Sequence, residues 1–328
     1  MTRVTVLGAA GGAGGAIVSE LAARGHVVTA SSRHGDAPCP DGVRQVATDL
    51  DDAAQVVAAC ADAEVVVMAA NVPYASWATM LWPMVERALA GAVAAGARLV
   101  MVDNLYAYGA PDEPITDTTP EAATTRKGQL RRSVARRLLA ADRDGGARVS
   151  IARFSDYYGP GGTNSLVYML GIRRALDGRP PQAFIDADQP HTFNYLPDVA
   201  RGVATLVERP DGDGRAWILP AAPPITQREL FGLVAGEAGI NPRIGRISRP
   251  LLAIGGLFDR QLREVRELTG QWDRPYSTDA TAFEAAFGAM VITGHEQAVA
   301  ETVAWFRSAA ETDCSVTETV ANNAPGNH

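Results

Sequence analysis

The sequence predicts an α/β fold: a doubly wound parallel sheet of about seven strands, followed by a smaller, mostly helical C-terminal region. Three observations predict it. Short apolar runs alternate with amphipathic helical ones through the first half of the chain. Those apolar runs lack polar alternation, as expected of strands covered on both faces. A glycine-rich turn joins the first apolar run to the first helical one.

The elements follow in order. Residues 4–7 form the first strand and 14–24 a helix with Ile17, Val18 and Leu21 on one face, ended by Gly25. Residues 26–30 and 43–47 are the second and third strands, and 51–61 a helix with Val56 and Val57. Residues 65–68 are a fully apolar fourth strand. A helix over 83–95 carries Pro83 near its first turn, where a missing N–H costs little, and stops at Gly96. Residues 99–102 and 149–153 are strands five and six, with a helix over 127–142 between them. In the less regular second half, 166–176 and 198–207 read as helices, the latter with Asp198 as N-cap, and 216–219 as a seventh strand. Beyond Pro220 come helices separated by Pro- and Gly-rich turns. The expected division is a nucleotide-binding domain over 1–155, to which 190–220 returns, and a substrate-binding region over 156–310. The polar segment 311–328 is expected to be a disordered tail.

Composition narrows the class. The chain has 328 residues, a formal net charge of −7 and 47% hydrophobic residues, ample for a packed core. Mild acidity gives no reason to expect nucleic acid or an anionic membrane as partner. No apolar run approaches bilayer length, and the chain runs from its start into strand-like residues without a signal-peptide pattern. Cys39, Cys60 and Cys314 are too few and scattered for a disulfide framework and lack metal-ligand spacing. The expectation is a cytoplasmic protein without a metal, acting on a small molecule.

Gly8-Ala9-Ala10-Gly11-Gly12-Ala13-Gly14 sits between the first strand and helix with G-x-x-G-x-x-G spacing. Glycine here permits unusual φ and close backbone approach, and the helix N-terminus offers free N–H groups to a pyrophosphate. The position, opening a βαβ unit, marks a Rossmann domain that binds a dinucleotide. The end of the second strand chooses between dinucleotides. An NAD(H) site carries an acid there to pair with the ribose. Here Thr29-Ala30-Ser31-Ser32-Arg33-His34 has none before Asp36. Ser32 and Arg33 suit a 2′-phosphate, which favours NADP(H), with NAD(H) the alternative. The other reading of Arg33 is a solvated surface residue. Asp49-Leu50, after the third strand, can meet the adenine amino group, or Asp49 can cap the next helix. Ala69, Ala70 and Asn71, after the fourth, let a cofactor lie close.

These residues, together with Tyr108-Gly109, Tyr158-Gly159-Pro160-Gly161, Tyr195-Leu196-Pro197-Asp198-Val199-Ala200 and the closing segment to about Arg307, resemble the short-chain dehydrogenase/reductase superfamily. Specifically, the chain is similar to the extended branch of NAD-dependent epimerase/dehydratase-like proteins. The resemblance implies a Ser or Thr after strand five and a Tyr-x-x-x-Lys pair on the next helix, the Tyr as acid/base and the Lys holding the nicotinamide ribose. This chain departs from that pattern. Asn104 stands in the Ser position, Lys127 is the sole lysine, and Ala123 stands four residues before it.

The resemblance further implies cofactor contacts at Asp103, Lys127, Phe154 and Asp156. With the usual tyrosine missing, alternation along an extended strand would aim Asn104 and Tyr106 the same way, making Lys127, Asn104 and Tyr106 the catalytic candidates. The rest of the basic run Arg126, Lys127, Arg131, Arg132 reads as a solvent face. Tyr74, Tyr106, Tyr157 and His191 are candidate substrate contacts. The leading expectation is an NADP(H)-dependent oxidoreductase acting on a carbonyl or alcohol. The alternatives are an epimerase, dehydratase or non-redox isomerase on the same scaffold, or a cofactor sensor without turnover. A homodimer is common in the superfamily and is an open expectation here.

Overall fold

The computed structural model describes residues 1–241, 243–258 and 260–322. Its centre is an all-parallel sheet built from β1 (Arg3–Leu7), β2 (Val27–Ser32), β3 (Arg44–Ala47), β4 (Val65–Met68), β5 (Arg98–Asn104), β6 (Arg148–Phe154) and β11 (Ala216–Ile218). The spatial order is β11-β6-β5-β4-β1-β2-β3. Short pairs follow β6: β7 (Asp156–Tyr158) with β10 (Phe193–Tyr195), β8 (Gln182–Phe184) with β13 (Gly245–Ile247), and β9 (Pro190–His191) with β12 (Ile225–Thr226). The long helices of the first half are α1 (Gly12–Ala23), α2 (Ala53–Cys60), α3 (Trp82–Ala94) and α4 (Arg126–Arg143). The second half adds α5 (Arg173–Leu176), α6 (Leu196–Glu208), α7 (Gln227–Ala238), α8 (Arg249–Phe258), α9 (Arg260–Val265), α10 (Thr281–Phe287) and α11 (His295–Asn322).

Except along the exposed edge strand β3, both faces of the sheet are buried, which is why its central strands read as continuous apolar runs. On β4, Val65 and Val67 join the cluster with Ile17, Val18 and Leu21 of α1 and Val199 and Val203 of α6. Val66 and Met68 join the cluster with Val56 of α2, Val85 and Ala88 of α3 and Leu138 of α4. Each such side chain taken from water stabilises the fold by about 1.5–3 kcal/mol. A third cluster, holding Phe231, Trp272 and Val299, unites α7 with the C-terminal segments.

Two expectations are corrected. Asp198 is no N-cap: α6 starts at Leu196, and the Asp198 carboxylate accepts from Thr293 N–H and Oγ1, stapling the helix to a distant segment. The cap of α2 is Asp52, which accepts from Ala54 and Gln55 N–H. Asp49 instead folds back on Asp51 N–H. In the segment expected as a tail, α11 is assigned as far as Asn322, and residues 323–328 lie outside those described. Among the described residues no helix is long and apolar enough to cross a membrane, and no His/Cys/Asp/Glu group could hold a metal ion.

Candidate active site

The chain leaves β1 for β2 and β3 on one side and returns through β4 to β5 and β6 on the other. A crevice forms where the order reverses, above the strand ends, and that is where open α/β sheets bind ligands. Gly8 lies at its floor with φ +92°, a region L side chains rarely adopt. A Cβ there would come within 2.5 Å of the Ala70 backbone, and one on Gly14 within 2.2 Å of the Gly8 carbonyl. The turn is therefore folded as tightly as only glycine allows. Gly11 is the N-cap of α1 and gives no side-chain cap, so the first N–H groups stay available. Gly12 packs against Gly161 and Gly162, which makes the loop after β7 a wall of the crevice. These features fit a diphosphate: a close backbone cradle at the positive end of a helix. Ala10 and Ala13 complete the turn without long side chains.

At the end of β2, the Ser32 hydroxyl accepts from Gly35 N–H and holds the following turn. Arg33 is exposed and has no ion pair among the described residues. Asp49 and Leu50 follow β3, with Asp49 exposed. Beyond β4, Ala69 and Ala70 are half-buried, and Asn71 Oδ1 accepts from Val72 N–H and Arg131 Nη2.

The ends of β5 and β6 hold the most densely charged group. Asp103 is buried and gives one oxygen to Arg131 Nη1 (3.1 Å) and the other to Arg153 Nε (3.2 Å). Arg153 also donates to Tyr108 Oη and Glu121. Arg131 is 3% exposed. Its place in the expected solvent face is thus corrected: α4 buries Lys127, Gly128, Arg131, Val134, Ala135 and Leu138, a stripe at helical spacing that contains two cations. That stripe was the signal available in the sequence, hidden by the charges within it. Burial pulls the Arg131 guanidinium below its usual range, while Asp103 opposes the shift. α4 starts at Arg126, so Ala123 lies off the helix and cannot share a face with Lys127; Arg131 does.

Lys127 is also buried, and its ammonium pairs with Glu264 and with Glu267 (3.2 Å), neither of which the sequence singled out. The expected alternation past Asn104 fails because the chain turns there. Asn104 Oδ1 accepts from Tyr106 N–H, and Tyr106–Tyr108 is a 3₁₀ turn. The Tyr106 hydroxyl is 2.7 Å from that of Tyr74, and the two rings form a triad with Trp77. Burial pushes the Tyr106 hydroxyl well above its usual range, with Tyr74 and Asp156 adding to the effect. Tyr74 is pushed up by burial as well. In the bond between the two hydroxyls either one can be the donor.

Across from them, Asp156 Oδ2 lies 2.9 Å from His191 Nε2, and the His191 ring stacks on Trp272 at 4.2 Å. Phe154 sets its ring edgewise to Tyr157. The C-terminal ends of β4, β5 and β6 thus bring together Tyr74, Asn104, Tyr106, Asp156, Tyr157 and, through β9, His191. A cavity of about 430 Å³ opens beside Lys127, lined by Thr124, Thr125, Arg126, Arg263, Arg266 and Glu267. Another, of about 610 Å³, lies at the opposite ends of the strands, near Arg3, Val27 and Arg44, away from all of these groups.

Comparisons with known proteins agree with this layout. Among solved structures, MoeE5 in complex with UDP-glucose and NAD superposes with a TM-score of 0.77 at 23% identity, over 94% of this chain and 99% of that one. The dTDP-glucose 4,6-dehydratase DesIV from Streptomyces venezuelae, with NAD bound, gives 0.76 at 21% identity, over 93% and 97%. The UDP-glucose 4-epimerase of Thermotoga maritima, with UDP-glucose, gives 0.77 at 18%, over 94% and 99%. At such identities the likeness establishes the fold. No curated protein sequence matches the chain. A family model matches residues 4–219, from the first strand through the last strand of the sheet, and by that match the chain belongs to the NAD dependent epimerase/dehydratase family.

Proposed function

We propose that the protein is a dinucleotide-dependent oxidoreductase acting on a carbonyl or alcohol carbon of a small hydroxylated molecule, with NADP(H) the preferred cofactor. The glycine turn carries this reading: a Cβ at Gly8 or Gly14 would strike the protein's own backbone at 2.5 or 2.2 Å, and a turn that tight sets the N-terminus of α1 at the strand end, where a diphosphate binds. Gly8, Ala10, Gly11, Gly12, Ala13 and Gly14 would hold that diphosphate. Exposed Arg33, beside Ser32, supports the choice of a 2′-phosphate. When bound, the nicotinamide supplies or accepts a hydride at its C4.

The protein's own groups do the rest. Asn104 offers amide N–H groups to the substrate oxygen. Tyr106, neutral and hydrogen-bonded to Tyr74, supplies the proton to that oxygen in reduction and receives it in oxidation. Asp156, oriented by His191, and Tyr157 border the substrate. Lys127 is buried beside them with its charge shared between two carboxylates. Family membership favours a second reading, in which the hydride returns to the same substrate and the net reaction is epimerisation or dehydration. The structural neighbours solved with UDP-glucose suggest nucleotide sugars as the first substrates to try.

The test loads the protein with NAD or NADP and follows absorbance at 340 nm across a panel of nucleotide sugars, free sugars and simple alcohols. Reduction of the cofactor by at least one compound is expected. Tight cofactor binding with no reduction and no change in any substrate would point to a sensor instead.

A further inference from the structure

The turn after β1 fixes where a diphosphate sits, and the strand order fixes where the two halves of a dinucleotide run. With the adenosine half toward Arg33 and β2, the other half crosses the ends of β4 and β5. The cation standing there is Arg131. Its Nη2 donates to Asn71 just after β4 (2.9 Å), and its Nη1 to Asp103 near the end of β5 (3.1 Å). The Trp77 ring lies 4.2 Å from its guanidinium carbon. The side chain is 3% exposed, yet its Nε–H is buried without a hydrogen-bond partner among the described residues. A buried, unpaired donor is costly to keep, and a flanking ligand oxygen would relieve the cost. Lys127, one turn earlier on the same face of α4, faces differently: its ammonium is taken by Glu264 and Glu267.

We propose that Arg131, and not Lys127, holds the hydroxyls of the ribose that carries the nicotinamide. The proposal rests on the dinucleotide reading above and adds to it the residue that orients the reactive half. Asp103 and Asn71 fix the guanidinium, and Arg153 anchors Asp103 from its other oxygen, so the fork is set before a ligand arrives. For Lys127 to reach the same sugar, it would have to leave two carboxylates.

The experiment is a calorimetric titration of the full chain with ADP, ADP-ribose and NADPH, since ADP lacks the distal ribose. Arg131→Met should weaken ADP-ribose and NADPH about tenfold or more while leaving ADP unchanged. Arg131→Lys should restore part of the loss, and Lys127→Met should bind ADP-ribose as the wild type does. The proposal is overturned if Arg131→Met binds ADP-ribose normally, if it loses ADP to the same extent, or if the selective loss appears in Lys127→Met instead. A wild-type protein that binds none of the three overturns the dinucleotide reading itself, and is told apart by that result.

Discussion

At the scale of single residues, the site is a set of conformational and ionisation demands that few side chains meet. Gly14→Ala would place a Cβ 2.2 Å from the Gly8 carbonyl, against backbone that cannot swing aside. It should destabilise the fold by at least about 1–3 kcal/mol, measured by urea unfolding, and weaken nucleotide binding as well. The phenols make a pH prediction. The Tyr157 hydroxyl is pushed up to about 12 by burial, with Asp156 adding to it, from an ordinary 10.0. An unfolded chain loses these protons first, so stability is fully present below about pH 10 and is lost as pH rises toward the folded-state value. Urea midpoints should fall between pH 9 and 11.5, and Tyr157→Phe should flatten that fall. The glycine turn was legible because its demand is written in consecutive residues. Arg131 was not, because its charge reads as solvent-seeking while its burial depends on Asp103, Asn71 and Trp77, each from a different segment.

Elements show a similar division. Strands buried on both faces and helices with one apolar stripe announce themselves, and the first-half order was legible to within a few residues. What the sequence hides is where an element stops obeying its own period. Asn104 ends β5 by accepting from Tyr106 N–H, so the alternation expected beyond it gives way to a turn that swings Tyr106 onto Tyr74. Caps were legible as residue types and missed by position. Asp52 rather than Asp49 starts α2, holding two N–H groups. Asp52→Ala should cost about 1 kcal/mol, seen as a lower urea midpoint. Asp49→Ala should cost less, because Asp49 serves only a local turn.

For the whole molecule, long-range pairs tie the sheet to what surrounds it. Arg98, at the start of β5, is buried, donates to the carbonyls of Leu206, Val207 and Arg209, and pairs with Asp213 (2.6 Å). Removing the carboxylate leaves a buried charge short of its counter-ion. Asp213→Ala should therefore destabilise the protein by about 3–5 kcal/mol in urea unfolding. The pairing of Lys127 with Glu264 and Glu267 spans 137 and 140 residues of chain. No local pattern reports a contact at that separation, so the second half of the site was the less legible half. That the sheet is parallel and covered on both sides was legible because strands alternate with helices along the chain.

The account as a whole stands on nucleotide capture at the strand-order reversal. Its most direct test is isothermal titration calorimetry of the wild-type chain with NADPH and with NADH. One site per chain, tighter for NADPH, with the difference removed by Arg33→Ala, is the predicted result. Absence of binding heat and of any thermal shift with either nucleotide, in a protein shown to be folded, would contradict it.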